Sequence, residues 1–465
     1  MKRSSAALIS GNVLPMVLRM AFPMLLSMLG MMAFNLIDTF FIGLLGTDSL
    51  AAISFTFPVI MVVGSISLGI GTGVTSALSK AIGQGSDNSN SVKNQKTFDD
   101  KQKRLSTDSL LLALFIVMIV ISIGLPSIDA IFYLLGASDE ILPLIKEYMV
   151  IWYWGIPFLV VPMVGNSIIR STGDTKTPSI IMGVALVMNT ILDPIFIFGF
   201  GPVEPMGLAG AAWATVISRM TTLVVSILIL HYRERLILWK IPRLQETIQS
   251  WKIVLYIGLI AAATNLINPV TVGVITKLVA NYGKEAVAAM GVSLRIEMFS
   301  MTPIMALGSA LAPFIGQNSG ANKGERIVLA LNRAYRIAIL HGVVLFVLYF
   351  FIGDGLAKLF SDNPRVNELT LLYLRIVTIS LGLSGSVLIS SIAFNALHKP
   401  FHASIITLFR LVVIFIPLAI ILTRYYGIAG IFYAAFFANT IAGIFAISTI
   451  QNYLSSKNIF GRILF

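Results

Sequence analysis

The sequence predicts an all-α integral membrane protein with about twelve transmembrane helices in two pseudo-symmetric six-helix lobes. Three observations predict it. Of 465 residues, 57% are hydrophobic and 12% charged, with mean hydropathy +0.88, whereas soluble domains carry roughly 25% charge. The apolar residues gather in runs of roughly 20 to 30, long enough to cross hydrocarbon, rather than in short periodic stripes. Several short motifs recur in the same order in the two halves of the chain.

Candidate spans begin near Met16, Leu50, Leu110, Ile141, Pro178, Gly207, Trp251, Glu285, Ile327, Leu371, Ser404 and Gly427. An even number puts both termini on one side. Assigning them to the cytoplasm leaves roughly 22 Lys and Arg in inside segments against roughly 6 outside, the asymmetry expected of a multi-pass protein of the inner (plasma) membrane. Lys2 and Arg3 precede an apolar segment over 13–45, too long for the apolar region of a signal peptide, so it is expected to stay attached as the first helix.

The richest basic connections give the domain organisation. Residues 233–252 lie between the sixth and seventh spans and read as a cytoplasmic linker, dividing an N-terminal lobe, 1–232, from a C-terminal lobe, 253–465. Residues 83–107 (GQGSDNSNSVKNQKTFDDKQKRLST) hold too few apolar side chains to pack and read as a solvated, mobile cytoplasmic loop without chemistry. The repeat supports two halves. GLAGAAWA at 207–214 returns as GIAGIFYA at 427–434, LAAI at 50–53 as VAAM at 287–290, and IGQ at 82–84 as IGQ at 315–317. Six spans per half give both halves one orientation, so an axis along the membrane normal should relate them.

Composition excludes several functions. The net charge of +12 falls mostly in connections, with no basic, aromatic-interleaved face for nucleic acid. The absence of cysteine removes disulfides, thiolate metal sites and cysteine nucleophiles. His231, His341, His398 and His402 lack metal spacing, and no nucleophile elbow or phosphate loop accompanies them. The chain therefore reads as a non-enzyme without a cofactor.

Ionised carboxylates within a bilayer are costly and mark functional sites. Asp38 follows Asn35 by three residues, so both share a helical face. Asn189 and Asp193 lie one turn apart, and Pro194 frees a backbone carbonyl, supplying oxygen ligands for Na⁺ or a seat for a proton. The structural alternatives are snorkelling for Asp38 and a helix kink or end at Asp193. Glu297 either faces a cavity of the second half or neutralises a nearby cation. Arg219 and Arg410 read as partners of backbone carbonyls or lipid headgroups. The methionines at 16, 20, 24, 28, 31 and 32 follow helical spacing and read first as packing, with broad apolar recognition if they line a cavity.

The chain resembles the multidrug and toxic compound extrusion (MATE) family along nearly its whole length. The residues that carry the resemblance are 35–43 (NLIDTFFIG), 170–178 (RSTGDTKTP), 189–194 (NTILDP), 207–215 (GLAGAAWAT), 316–321 (GQNSGA) and 395–400 (NALHKP). The resemblance implies two lobes around a cleft and export of organic, cationic amphipathic drugs or toxins in exchange for Na⁺ or H⁺ by alternating access, by a monomer in the bilayer. It places the coupling site at Asp38, Asn189, Asp193 and Thr215, with Asp38 and Asp193 as the essential carboxylates. Asn35 and Glu297 remain candidates for solute or second-lobe contacts. Spans seven and ten carry no mid-membrane acid, which leaves Glu297 as the substitute for a second-lobe ion site, and the insertion after Gly85 is longer than the family's usual connection.

The rival readings are a flippase for lipid-linked saccharides, expected to need several cleft arginines for a pyrophosphate, an intramembrane enzyme, which would need a metal cluster or a nucleophile with its base, and a passive channel.

Overall fold

The computed structural model describes residues 8–87, 92–239 and 244–456. Among these, twelve helices are long and apolar enough to cross a membrane. They are α1 (Val13–Gly43), α2 (Thr47–Ser86), α3 (Thr97–Gly124), α4 (Leu142–Ser171), α5 (Lys176–Phe198) and α6 (Gly207–Arg233). The second set is α7 (Leu244–Ala280), α8 (Lys284–Gly320), α9 (Gly324–Lys358), α10 (Pro364–Ala396), α11 (Pro400–Tyr426) and α12 (Ala429–Ser456). Helix is the one segment-autonomous way to satisfy backbone polar groups in hydrocarbon, so apolar runs of this length leave the chain little choice.

The chain packs as two compact units, residues 26–262 and residues 1–25 with 263–465. Their boundaries fall inside α1 and α7 rather than in the 233–252 connection, part of which is already helix from Leu244. Side-chain packing accounts for this at both crossings. Val13, Val17, Met20 and Ala21 of α1 are buried in the core formed by α8, α9, α10 and α12. The segment ahead of α1 is clamped to that unit by polar groups: Arg326 donates to the carbonyls of Gly11 (2.8 Å) and Ser10 (3.1 Å), Lys323 to Ile9 (3.0 Å) and Asn318 to Leu8 (3.0 Å). Asn318 of the GQNSGA motif thus has a structural task; of the early methionines, Met20 and Met24 are buried as helical spacing suggested, while Met31 is exposed.

The start of α7 packs into the unit 26–262. Val254 joins its core, and a Cβ built on Gly69 or Gly73 of α2 would lie 2.4 Å from the Gly258 carbonyl oxygen or 2.3 Å from that of Val254. Small residues let the helix backbones touch, which is how helices gain contact in lipid.

The solvated loop expected at 83–107 is not what the chain forms. The second helix continues to Asp87, and the third begins at Val92; residues 88–91 lie outside those described. Arg104, one of the polar side chains that argued for a loop, finds partners on its own helix and on α7. Arg104 Nε meets Asp108 Oδ2 at 3.1 Å, its Nη2 donates to Thr247 Oγ1 at 2.9 Å, and Trp251 Nε1 donates to the Asp108 carbonyl at 2.8 Å. Gln102, Ser106 and Asp108 are buried by this seam. A low count of apolar residues predicts solvation only when no neighbour supplies matching polar groups.

The internal repeat is visible in backbone geometry. Gly207 and Gly427 open α6 and α12 with φ of +55° and +57°. Three residues on, Gly210 and Gly430 lie so close to the preceding span that an added Cβ would sit 2.3 Å from Phe196 O or from Leu422 C and O. The Gly-x-x-Gly motif is a packing device, and it is the same device in both halves.

Candidate functional site

The two candidate acids of the first half sit at matching depth, each five positions before its helix end, Asp38 before Gly43 and Asp193 before Phe198. Helix α5 runs through Pro194 to Phe198, so Asp-Pro here does not end the helix. Asn189 and Asp193 are both fully buried, and the Asn189 amide donates to Asp193 Oδ1 at 2.9 Å across one turn. Asp38 is half-buried. Asp38 Oδ1, Asn189 Oδ1 and Asp193 Oδ2 are buried without a hydrogen-bond partner. Buried polar atoms in native proteins almost always have a partner, so three spare acceptors on these residues make them the candidate site.

Charge joins these residues to two that sequence reasoning did not select. Asp38 and Asp193 lie within electrostatic reach of each other, Arg219 of α6 acts on Asp38, and Tyr148 of α4 is within reach of all three. Tyr148 is buried, at 4% exposure. The Arg219 guanidinium stands 4.8 Å from the centre of the Phe34 ring, and its Nε has no hydrogen-bond partner. Stacking of this kind contributes about 0.5–2 kcal/mol, less than the roughly 2.5–3.5 kcal/mol that a mid-membrane arginine costs on the insertion scale. The nearby Asp38 charge is needed to offset the remainder. The contact that the structure shows for the guanidinium is the Phe34 ring.

Thr215 lies one turn before Arg219 on α6 and is half-buried, so it shares the face that carries the guanidinium. That spacing was the available signal for Arg219. No comparable signal exists for Tyr148, whose place follows from how α4 packs. Asn35 is exposed, one turn before Asp38. The structure therefore brings together Asp38, Asn189 and Asp193, adds Arg219 and Tyr148, and leaves Thr215 and Asn35 at neighbouring positions. Glu297 is not part of this group. It belongs to the other compact unit, where it accepts a hydrogen bond from the Tyr373 hydroxyl of α10.

In the turn between α4 and α5, the 170–178 motif forms a cap. Asp174 accepts from Thr177 N (3.0 Å), Thr177 Oγ1 (2.6 Å) and Arg233 Nη2 (2.5 Å). Burial alone pushes its carboxyl upward, but the two Thr177 hydrogen bonds and the Arg233 charge outweigh it and hold the carboxyl below its usual range.

Comparison with known proteins agrees with this architecture. A family model described as MatE matches residues 23–195 and again 252–421, once in each half. The chain is 37% identical over 437 residues to the FAD transporter of Shewanella oneidensis, covering 94% of each chain. It is 26% identical over 431 residues to the multidrug export protein MepA of Staphylococcus aureus, covering 92% of each. Among solved structures it matches the Vibrio cholerae MATE transporter VcmN in its bent form, with a TM-score of 0.89 and 29% identity, over 99% of this chain and 100% of that one. The twelve spans, the twofold repeat and the match of both halves to one family model lead to one assignment: the chain belongs to the multidrug and toxic compound extrusion (MATE) family of the MOP superfamily, as a multi-pass secondary transporter of the antiporter type.

Proposed function

We propose that Asp38 and Asp193, with Asn189 and Thr215, form the coupling site of this antiporter, at which Na⁺ or H⁺ entering from outside displaces an organic solute bound for export. The observation that carries the reading is the fully buried Asn189–Asp193 hydrogen bond, with spare oxygens on both residues and Asp38 within electrostatic reach. These oxygens suit a proton or a small hard cation equally. One set of negative charges cannot serve an ion and a cationic solute fully at once. Each ligand therefore weakens the other by the same factor, and that reciprocity links the two flows. The expected orientation is both termini in the cytoplasm of an inner-membrane monomer, supported by the distribution of Lys and Arg.

Arg219 favours a second reading of the solute. A guanidinium beside the acids and stacked on Phe34 suits an aromatic molecule with an acidic group, and the 37% identical relative is named for FAD. In this reading Arg219 meets the anionic part of the solute, and the acids hold the coupling ion. Efflux from proteoliposomes under an imposed pH or Na⁺ gradient, with ethidium and a flavin as parallel solutes, tests both. Gradient-driven efflux of ethidium supports the cationic reading and efflux of the flavin the anionic one. Efflux of neither would remove the proposal.

A further inference from the structure

The second half holds a buried polar cluster that the coupling site does not use. Glu297 of α8 accepts from the Tyr373 hydroxyl of α10, and Tyr373 packs edge-on against Phe432 of α12, ring centres 5.2 Å apart. Arg410 of α11 lies within electrostatic reach of Glu297. Its Nη1 donates to Ser384 Oγ at 3.1 Å. All five residues belong to one compact unit.

Arg410 is under-satisfied for its place. It lies ten residues into α11, about 15 Å along the helix at 1.5 Å per residue, near the middle of a bilayer core. A cation at that depth is expected to be paired or bonded to several acceptors. Among the described residues its one hydrogen bond goes to a neutral hydroxyl, it forms no ion pair within 4.0 Å, and its Nε is buried without a partner. Glu297 acts on it only at a distance: its Oε2 accepts from Tyr373, and it makes no ion pair with Arg410 within 4.0 Å. The backbone is also unusual here. Arg410 sits in a π-helical stretch, Phe409–Phe415, whereas α5, the corresponding span of the first half, is α-helical throughout. Such insertions redirect side chains and recur at functional positions.

The halves also match in chemistry. The fourth and tenth spans supply Tyr148 and Tyr373, each beside a carboxylate, Asp38 and Glu297, on which an arginine acts, Arg219 and Arg410. Both arginines keep a buried Nε without a partner; the halves differ in the acid, since Asp38 Oδ1 is spare while Glu297 Oε2 accepts from the Tyr373 hydroxyl.

We propose that Arg410 is the anion-recognising group of a second solute subsite, which takes an oxyanion, phosphate or carboxylate, carried by the transported molecule. Ser384 holds the guanidinium by one arm, leaving Nε and the other arm for a forked contact. The Tyr373–Glu297 pair balances the positive charge when no anion is bound, and its tyrosine hydrogen bond keeps Glu297 from closing on Arg410. This inference rests on the anionic-solute reading above.

The test is binding of riboflavin, flavin mononucleotide and a carboxymethyl flavin to the purified full-length transporter, wild type, R410Q and R410K, by flavin fluorescence. The three probes share a ring and differ in acidic group. R410Q is expected to weaken flavin mononucleotide, the carboxymethyl flavin or both by about tenfold or more while riboflavin affinity holds, and R410K, which keeps charge without the fork, should fall between. Loss with the phosphate alone assigns the subsite to phosphate, and loss with the carboxylate alone to carboxylate. An unchanged ratio of acidic flavin to riboflavin in R410Q, or in R410K should R410Q not fold, overturns the inference, as does equal loss of all three probes. Ethidium efflux by the same R410Q protein separates the two proposals: gradient-coupled efflux with an unchanged flavin ratio removes this subsite alone.

Discussion

The Asn189 amide donates to Asp193 Oδ1 at 2.9 Å, and this one contact fixes the Asp193 carboxylate so that Oδ2 is left over. Side chains one turn apart on a helix meet naturally, so the sequence NTILDP builds the pair within α5 alone. Asp38 must then be brought to it by the packing of α1 in the same compact unit. The coupling proposal makes a sharp demand on these residues. D38N and D193N keep size but remove the exchangeable charge, so each should abolish gradient-driven efflux; D193N should leave the apparent melting temperature near wild type, whereas D38N, which leaves Arg219 without its charge partner, should lower it. The loss is read as initial efflux rate in proteoliposomes.

Arg219 separates the two solute readings. R219Q should lower transport of an anionic flavin by about tenfold, as expected for loss of a forked guanidinium contact. Ethidium efflux should persist, because removing a cation near Asp38 frees negative potential for a positive solute. Competition between the two solutes, measured on one preparation of each variant, checks the direction.

Asp174 makes a pH prediction outside the membrane spans. Its folded pKa is depressed, so its contribution to stability is present above the unfolded value of about 3.9 and is lost as pH falls through the lower folded value. D174N should remove that part of the acid dependence. Apparent melting temperature should then be lower than wild type at pH 6 to 7, with the difference narrowing below about pH 4. A constant difference across that range contradicts the assignment.

The repeated glycines predict matched packing defects. G210A and G430A place a Cβ 2.3 Å from backbone atoms of the preceding span, and overpacking of this kind costs about 1–3 kcal/mol. At Gly183 of α5 an added Cβ meets nothing within 4 Å, so G183A should be neutral. Thermal unfolding of the three variants in one detergent checks the pattern.

Asp108 tests the helical seam at 83–107. Its carboxylate is 1% exposed and shared between Arg104 and Thr247. D108A leaves Arg104 without that acid and should destabilise by on the order of 3 kcal/mol, the low end for breaking a buried pair. Protease cleavage between α2 and α3 should rise accordingly.

Much of this architecture was legible in the sequence because hydrocarbon enforces it: length and hydropathy alone place α1 to α12. The acids were legible because Asp38 and Asp193 stand out among apolar neighbours, and the Asn189 spacing made their pairing a local matter. What stayed hidden depends on contacts between segments far apart in the chain. The polar run near Arg104 reads as a loop until Thr247 and Trp251 lie beside it. The unit boundary inside α1 depends on Arg326, more than three hundred residues from the Gly11 carbonyl it holds. Arg219 and Tyr148 join the site through packing of α4 and α6, which no periodicity within either helix encodes.

The most direct measurement of the account is ion release driven by solute. Ethidium or a flavin is added to the sealed outer face of proteoliposomes, and internal pH and Na⁺ are followed for wild type, D38N and D193N. The account predicts ion movement opposite to the solute in wild type and none in either variant. Solute-driven ion movement of full size in both variants would contradict it.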